Sequence, residues 1–143
     1  MFHKVKSVYP LPDRWLSVRF CEGVTKCYDT KPLSAWRAEF RELDDVELFN
    51  SVGVDAGGYG IVWNDRLDLS CDELYANGAP SSSPFDGLMS FADATELWGL
   101  HESTLRKAVG YGKLIDGVDV CKFGKQWVVS TEAMRREYGE PRD

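Results

Sequence analysis

Residues 90–112 read SFADATELWGLHESTLRKAVGYG, and this stretch decides how the C-terminal part of the chain folds. Ser90 stands three residues ahead of Asp93, a capping-box spacing in which the hydroxyl accepts from a backbone N–H of the first helical turn. Phe91, Ala94 and Trp98 follow at helical spacing, so a short helix is predicted over 91–98. Gly99 ends it. Beyond the Gly99-Leu100-His101 turn, residues 102–109 read as a second helix, with Leu105, Ala108 and Val109 inward and Ser103, Thr104, Arg106 and Lys107 outward. Two short helices about a tight turn, the second with an exposed polar and basic face, make a helix-turn-helix arrangement.

Working outward, residues 118–123 and 126–129 alternate around Gly124-Lys125 and predict a β-hairpin, a wing beside the two helices. Ser130-Thr131 can cap a last helix over 132–138, with Ala133, Met134 and Tyr138 packing back and Arg135 and Arg136 facing water. Charge is concentrated here. The whole chain carries 17 Lys and Arg against 23 Asp and Glu, a net −6, yet within 103–130 Arg106, Lys107, Lys113, Lys122 and Lys125 face only Asp116 and Asp119. A helix in the major groove presents side chains to base edges, while cations on a flanking wing neutralise phosphates and set the register. On that model Ser103, Thr104, Arg106 and Lys107 enter the groove of double-stranded DNA, and Lys113, Lys122, Lys125 and Gln126 contact its backbone. Glu102, at the start of the reading helix, suits the helix dipole but repels phosphate. The plain alternative for Arg106 and Lys107 is a solvated helix face. Trp98, Phe123 and Trp127 read as core and wing packing rather than as stacking platforms for single strands.

The order helix, turn, helix, hairpin, helix over 90–139 resembles the winged helix-turn-helix domains of excisionase-like and MerR-like DNA-binding proteins. The resemblance rests on Gly112-Lys113-Leu114-Ile115, on Gly124-Lys125 at the hairpin tip and on Trp127 returning from it. Thr95 stands where that family usually has Ala, and His101 where a Ser-type cap is common. One recognition helix covers only a few base pairs, so operator reading by so small a domain calls for two copies, and a homodimer is expected.

Upstream, residues 76–89 read ANGAPSSSPFDGLM, in which Gly, Pro and Ser weaken both helix and strand and mark a linker over 79–89. It divides a first domain, 1–78, from a second, 90–139. The first domain opens with β-type runs over 4–9, 15–21 and 24–29, broken by Pro10-Leu11-Pro12-Asp13 and Glu22-Gly23, which predict a β-meander. A helix over 35–49 follows, with Trp36, Phe40, Leu43 and Val46 on one side, then strands at Ile61-Val62-Trp63 and Leu67-Asp68-Leu69. Ser70, three residues before Glu73, has the spacing that starts a short helix. The fold class is α+β: a small β-meander and helix domain followed by a winged helix-turn-helix domain. The first domain resembles a small bacterial family of proteins of unknown function, DUF2442, over residues 3–78. The likeness lies in Val5 to Leu11, the strand pair across Glu22-Gly23, Gly58 to Trp63, Asp68-Leu69-Ser70 and Leu74 to Gly78. It implies a compact α+β fold, no established activity, and a setting in two-protein operons of toxin–antitoxin type.

A length of 143 residues allows one ordinary domain or two small ones and excludes a large multidomain enzyme. Apolar residues at 43% and charged residues at 28% exclude a disordered chain. No run is long and apolar enough for a membrane span or a signal peptide, so a cytoplasmic protein is expected. Cys21, Cys27, Cys71 and Cys121 match no metal-ligand spacing and read as reduced structural thiols; no metal and no cofactor are expected. Gly57-Gly58-Tyr59-Gly60 lacks the Gly-Lys-Ser/Thr ending of a phosphate loop and reads as a turn. With no paired catalytic constellation, the chain is not read as an enzyme. Glu42, Asp44, Asp45 and Glu47 form either a wet helix face or a dock for a basic protein, a toxin or a nuclease complex. Together these readings describe a DNA-binding transcriptional regulator, an antitoxin-like autorepressor whose first domain binds a protein partner. The alternative is a mobile-element inhibitor of anti-CRISPR type, which covers a nucleic-acid-binding target with its acidic surface.

Overall fold

Leu16, Val18 and Phe20 alternate with half-buried neighbours and are all fully buried, the period-two signature of a strand with one face on a core. They belong to β2 (Trp15–Phe20), which pairs antiparallel with β1 (Val5–Pro10) on one side and β3 (Thr25–Asp29) on the other. The computed structural model describes residues 2–81 and 83–142 of the chain. It divides into two compact units, Met1–Pro84 and Phe85–Asp143. Among the described residues no helix is long and apolar enough to cross a membrane.

In the first unit the expected meander of β1, β2 and β3 is present. The helix expected over 35–49 is not continuous. It is broken into α1 (Leu33–Trp36), a 3-10 stretch over Ala38–Asp44 and α2 (Val46–Asn50). Arg37 and Asp45 are both extended, and each ends one helical segment where the next begins. The supposed apolar side therefore splits. Phe40 and Leu43 are buried, whereas Trp36 is 66% and Val46 67% exposed. Asp45 caps α2 by accepting from the Glu47 N–H. Arg14, in the turn after β1, ties this segment down by pairing with Asp44 and donating to the carbonyls of Phe40 and Thr30.

A second sheet follows, made of β4 (Gly53–Val54), β5 (Gly60–Asn64) and β6 (Leu67–Ser70). The glycine run before β5 acts as the expected turn. Gly58 has φ of +78°, and its carbonyl accepts from the Val5 N–H at 2.7 Å, an approach that a side chain at position 58 would block. Ser70 caps α3 (Cys71–Asn77), its hydroxyl accepting from the Glu73 N–H at 3.1 Å. The core of this unit joins Leu16, Val18 and Phe20 to Phe40, Ile61, Leu67 and Leu74.

The stretch 79–89, read as a linker, carries strands at both ends. Ala79–Pro80 (β7) pairs with Lys26 and Cys27 of β3, and Leu88–Ser90 (β8) belongs to the sheet of the second unit. Pro80 is tolerated because it sits in an edge strand. Ser82 lies outside the described residues.

The second unit contains β8, α4 (Phe91–Trp98), α5 (Glu102–Tyr111), β9 (Val120–Phe123), β10 (Gln126–Ser130) and α6 (Thr131–Tyr138). Its sheet has the order β8-β10-β9, so the expected hairpin gains a third strand from upstream of the helices. Ser90 and Ser130 cap α4 and α6 by accepting from the Asp93 and Ala133 N–H groups. Phe91, Ala94, Trp98, Leu105, Leu114, Val129 and Met134 form its core.

Candidate nucleic-acid interface

The turn between α4 and α5 is set by Gly99, at φ +65°, and by two backbone bonds to Thr95 O, from the N–H groups of Gly99 and Leu100. The far end of the unit locks α4 in place: the Trp98 indole N–H donates to Gly139 O at 2.8 Å, and the Arg142 N–H to Leu97 O at 2.8 Å. His101 occupies the N-cap position of α5 without a side-chain cap.

Leu105 and Ala108 are buried, which fixes the opposite side of α5 toward solvent. Ser103, Arg106 and Lys107 are exposed, and Gly110 continues their stripe at the next helical step. Thr104 is half-buried and stands at the margin of that stripe. Arg106 is not an unengaged cation: its guanidinium donates to Glu102 one turn earlier on the same helix. Such an exposed pair is worth only about 0.3–0.5 kcal/mol, small enough for a phosphate or a guanine to displace.

Buried Leu114 anchors the run after α5 and leaves Lys113 and Ile115 exposed on either side. Lys113 lies over the Tyr138 ring at 4.5 Å from its centroid. Lys122 is opposite Trp127 in the hairpin and lies over that ring at 5.7 Å, while Trp127 stacks on Phe91. Lys125 follows Gly124 in the two-residue tip, and Gln126 pairs with Phe123 on the face opposite the Lys122–Trp127 pair. Lys113, Lys122, Lys125 and Gln126 are all exposed. The unit thus offers three cations on or before the wing and two on the helix.

Asp119 is the one acid of this stretch that is taken inside. It is 6% exposed, accepts from the Ile115 N–H at 2.9 Å, and receives two hydrogen bonds from Arg136 of α6 at 2.9 and 3.2 Å. Those bonds, led by the ones from Arg136, hold its carboxyl below the ordinary range for aspartate. The same contact raises the already high pKa of Arg136 further. Arg136 is exposed, as its place on the outer side of the last helix leads one to expect, and from there it also cancels one of the two acids set against the basic stretch. The spacing of 17 residues between them, across a hairpin, gives no periodic signal from which the pairing could be read.

The family described as protein of unknown function (DUF2442) matches residues 5–80. The chain belongs to the DUF2442 family. A helix-turn-helix domain family matches residues 82–143, so the DUF2442 unit is followed by a helix-turn-helix domain, a kind of domain that points to DNA as partner. No curated protein and no solved structure matches the chain.

Within the DUF2442 unit the four acids read as a docking face are partly engaged by their own domain. Asp44 pairs with Arg14, Glu42 accepts from Arg66 at 2.6 Å, and Asp45 caps α2; Glu47 is exposed. The structure places them on two segments, the 3-10 stretch and α2, rather than on one helix.

Proposed function

We propose that this DUF2442 protein is a DNA-binding transcriptional regulator, not an enzyme. In this reading α5 enters the major groove with Ser103, Arg106 and Lys107, while Lys113, Lys122 and Lys125 neutralise phosphates. The observation that carries it is the exposed polar and basic stripe on a helix whose other side is buried through Leu105 and Ala108. The family match over residues 82–143 supports it independently. The finer reading is an antitoxin-like autorepressor that works as a homodimer and uses its DUF2442 unit to hold a protein partner. Tyr111, Ile115, Val118 and Phe123 lie exposed along 111–123 and supply apolar surface for a second copy to cover.

The test is a fluorescence-anisotropy titration of the full chain against duplex from its own promoter region and against a scrambled duplex, repeated over a salt series. Operator reading requires preference for the promoter duplex and an affinity that falls linearly on a log–log plot against salt. Failure to bind either duplex at low salt removes the reading. Under the rival inhibitor reading, duplex binding is absent and a protein with a nucleic-acid-binding surface is retained instead.

A further inference from the structure

The DUF2442 unit contains a cleft of about 520 Å³ between the end of β3, α1 and α3, within the size range of small-molecule sites. Three aromatic side chains line it, Trp15, Tyr28 and Trp36, together with the carboxylates of Asp29 and Glu73 and the amide of Asn77. No lysine or arginine is among the lining residues.

The two carboxylates differ. Asp29 is balanced from within the unit, since Lys31 Nζ lies 3.0 Å from it. Glu73 is held by neutral donors: the Tyr28 hydroxyl donates to Oε2 at 2.7 Å and Asn77 Nδ2 donates to the same oxygen at 2.9 Å. Burial, and then the bond to Glu73, push the Tyr28 pKa up, so the phenol stays a donor throughout the physiological range. Glu73 Oε1 carries no hydrogen bond among the described residues. The cleft therefore joins an uncompensated negative charge to indole and phenol surface.

The rim already shows what this combination attracts. Lys31 Nζ lies 5.1 Å from the centre of the Trp15 ring while paired with Asp29, and the Arg37 guanidinium lies 5.8 Å from that of Trp36. A cation with a carbon stem gains from ring faces and from a carboxylate together, which a neutral or anionic ligand does not.

We propose that this cleft binds an organic cation, a guanidinium or alkylammonium group on an apolar stem, with its charge at Glu73 and its stem against Trp15 and Trp36. The site lies wholly in the DUF2442 unit and does not depend on whether the helix-turn-helix unit binds DNA.

The experiment is a titration of the ¹⁵N-labelled full chain with n-butylguanidinium, followed at the tryptophan indole N–H resonances. Neutral n-butylurea, nearly the same in shape, is the control. The expected result is saturable movement of the Trp15 and Trp36 signals with butylguanidinium in the millimolar range. The buried Trp63 and the Trp98 of the other unit should stay still, and butylurea should have no comparable effect. Glu73→Gln keeps an oxygen for Tyr28 and should weaken binding about fivefold. Trp36→Ala, at an exposed position, should weaken it about two- to thirtyfold with the other indole signals unchanged. A blocked Gly-Arg-Gly peptide separates the two sources of such a cation. Binding at least as tight as that of butylguanidinium marks a basic side chain of a partner protein, and weaker binding or exclusion of the peptide marks a free small-molecule cation. Equal binding of butylurea, an unchanged affinity in Glu73→Gln, or no saturation overturns the proposal.

Discussion

Arg136 of α6 grips the carboxylate of Asp119 through both of its terminal nitrogens, and that carboxylate also receives the Ile115 N–H at the foot of the wing. The pair joins the last helix to the segment that leads into β9. Asp119→Ala should cost about 1–3 kcal/mol, because it leaves the Ile115 N–H without its acceptor and removes two of the guanidinium's three bonds, the one to Glu137 remaining. Chemical denaturation of the full chain gives this value directly.

The same pair has a pH signature. The folded-state pKa of Asp119 lies below its unfolded value of about 4. Its contribution to stability is therefore fully present above the unfolded pKa and is lost as pH falls through the folded one. Thermal unfolding of wild type and Asp119→Asn should differ in Tm near neutrality, and the gap should close as the pH is lowered below about 4.

Glu102 pairs with Arg106 and places a negative charge in the first turn of α5, the helix proposed to enter the groove. Glu102→Gln should tighten duplex binding about three- to tenfold, the effect of one removed repulsion and one released guanidinium. Arg106→Ala should weaken the preferred duplex more than the scrambled one, with a loss of about 1–3 kcal/mol in discrimination. Equal losses on both duplexes place Arg106 on the backbone instead.

Lys125 sits at the tip of the β9–β10 hairpin, away from α5 in sequence and exposed. Lys125→Ala should lower affinity for all duplexes alike and reduce the slope of log affinity against log salt by about 1. An unchanged slope shows that the tip does not touch phosphate.

Gly110 lies inside α5 with nothing within 4 Å of where a side chain would begin. Gly110→Ala should stabilise the chain by about 0.5–1 kcal/mol, since alanine is the better helix former and meets no neighbour. If the stripe from Ser103 to Gly110 faces DNA closely, the same variant loses affinity while it gains stability, and the two readouts separate the effects.

Local signals carried most of the fold. The Ser-x-x-Asp and Ser-x-x-Glu spacings located the starts of α4 and α3, and the apolar alternation located β1, β2 and β3, because caps and strand faces are decided within a few residues. What failed was a continuous helix through Trp36, Phe40 and Val46. Their spacing fits one helical face, but Arg37 and Asp45 leave the helical region, and Arg14, distant in sequence, ties the 3-10 stretch to the meander. The consequence is measurable: Phe40→Ala should cost about 3–5 kcal/mol and Trp36→Ala less than about 0.5 kcal/mol, where a single amphipathic helix would make them comparable. In the candidate site the exposed stripe of α5 was legible because it lies on one helix. The Asp119–Arg136 pair and the aromatic cleft were not, since each gathers residues from segments that only the folded chain brings together.

The placement of β7 and β8 bears on how such a protein comes to exist. Ala79–Pro80 adds the last strand to the meander sheet of the first unit and Leu88–Ser90 the first strand to the sheet of the second unit, so each of these strands pairs on its own side of the joint. A cut between these two strands would separate no paired strands, so the joint is where one head could be exchanged for another without breaking a sheet.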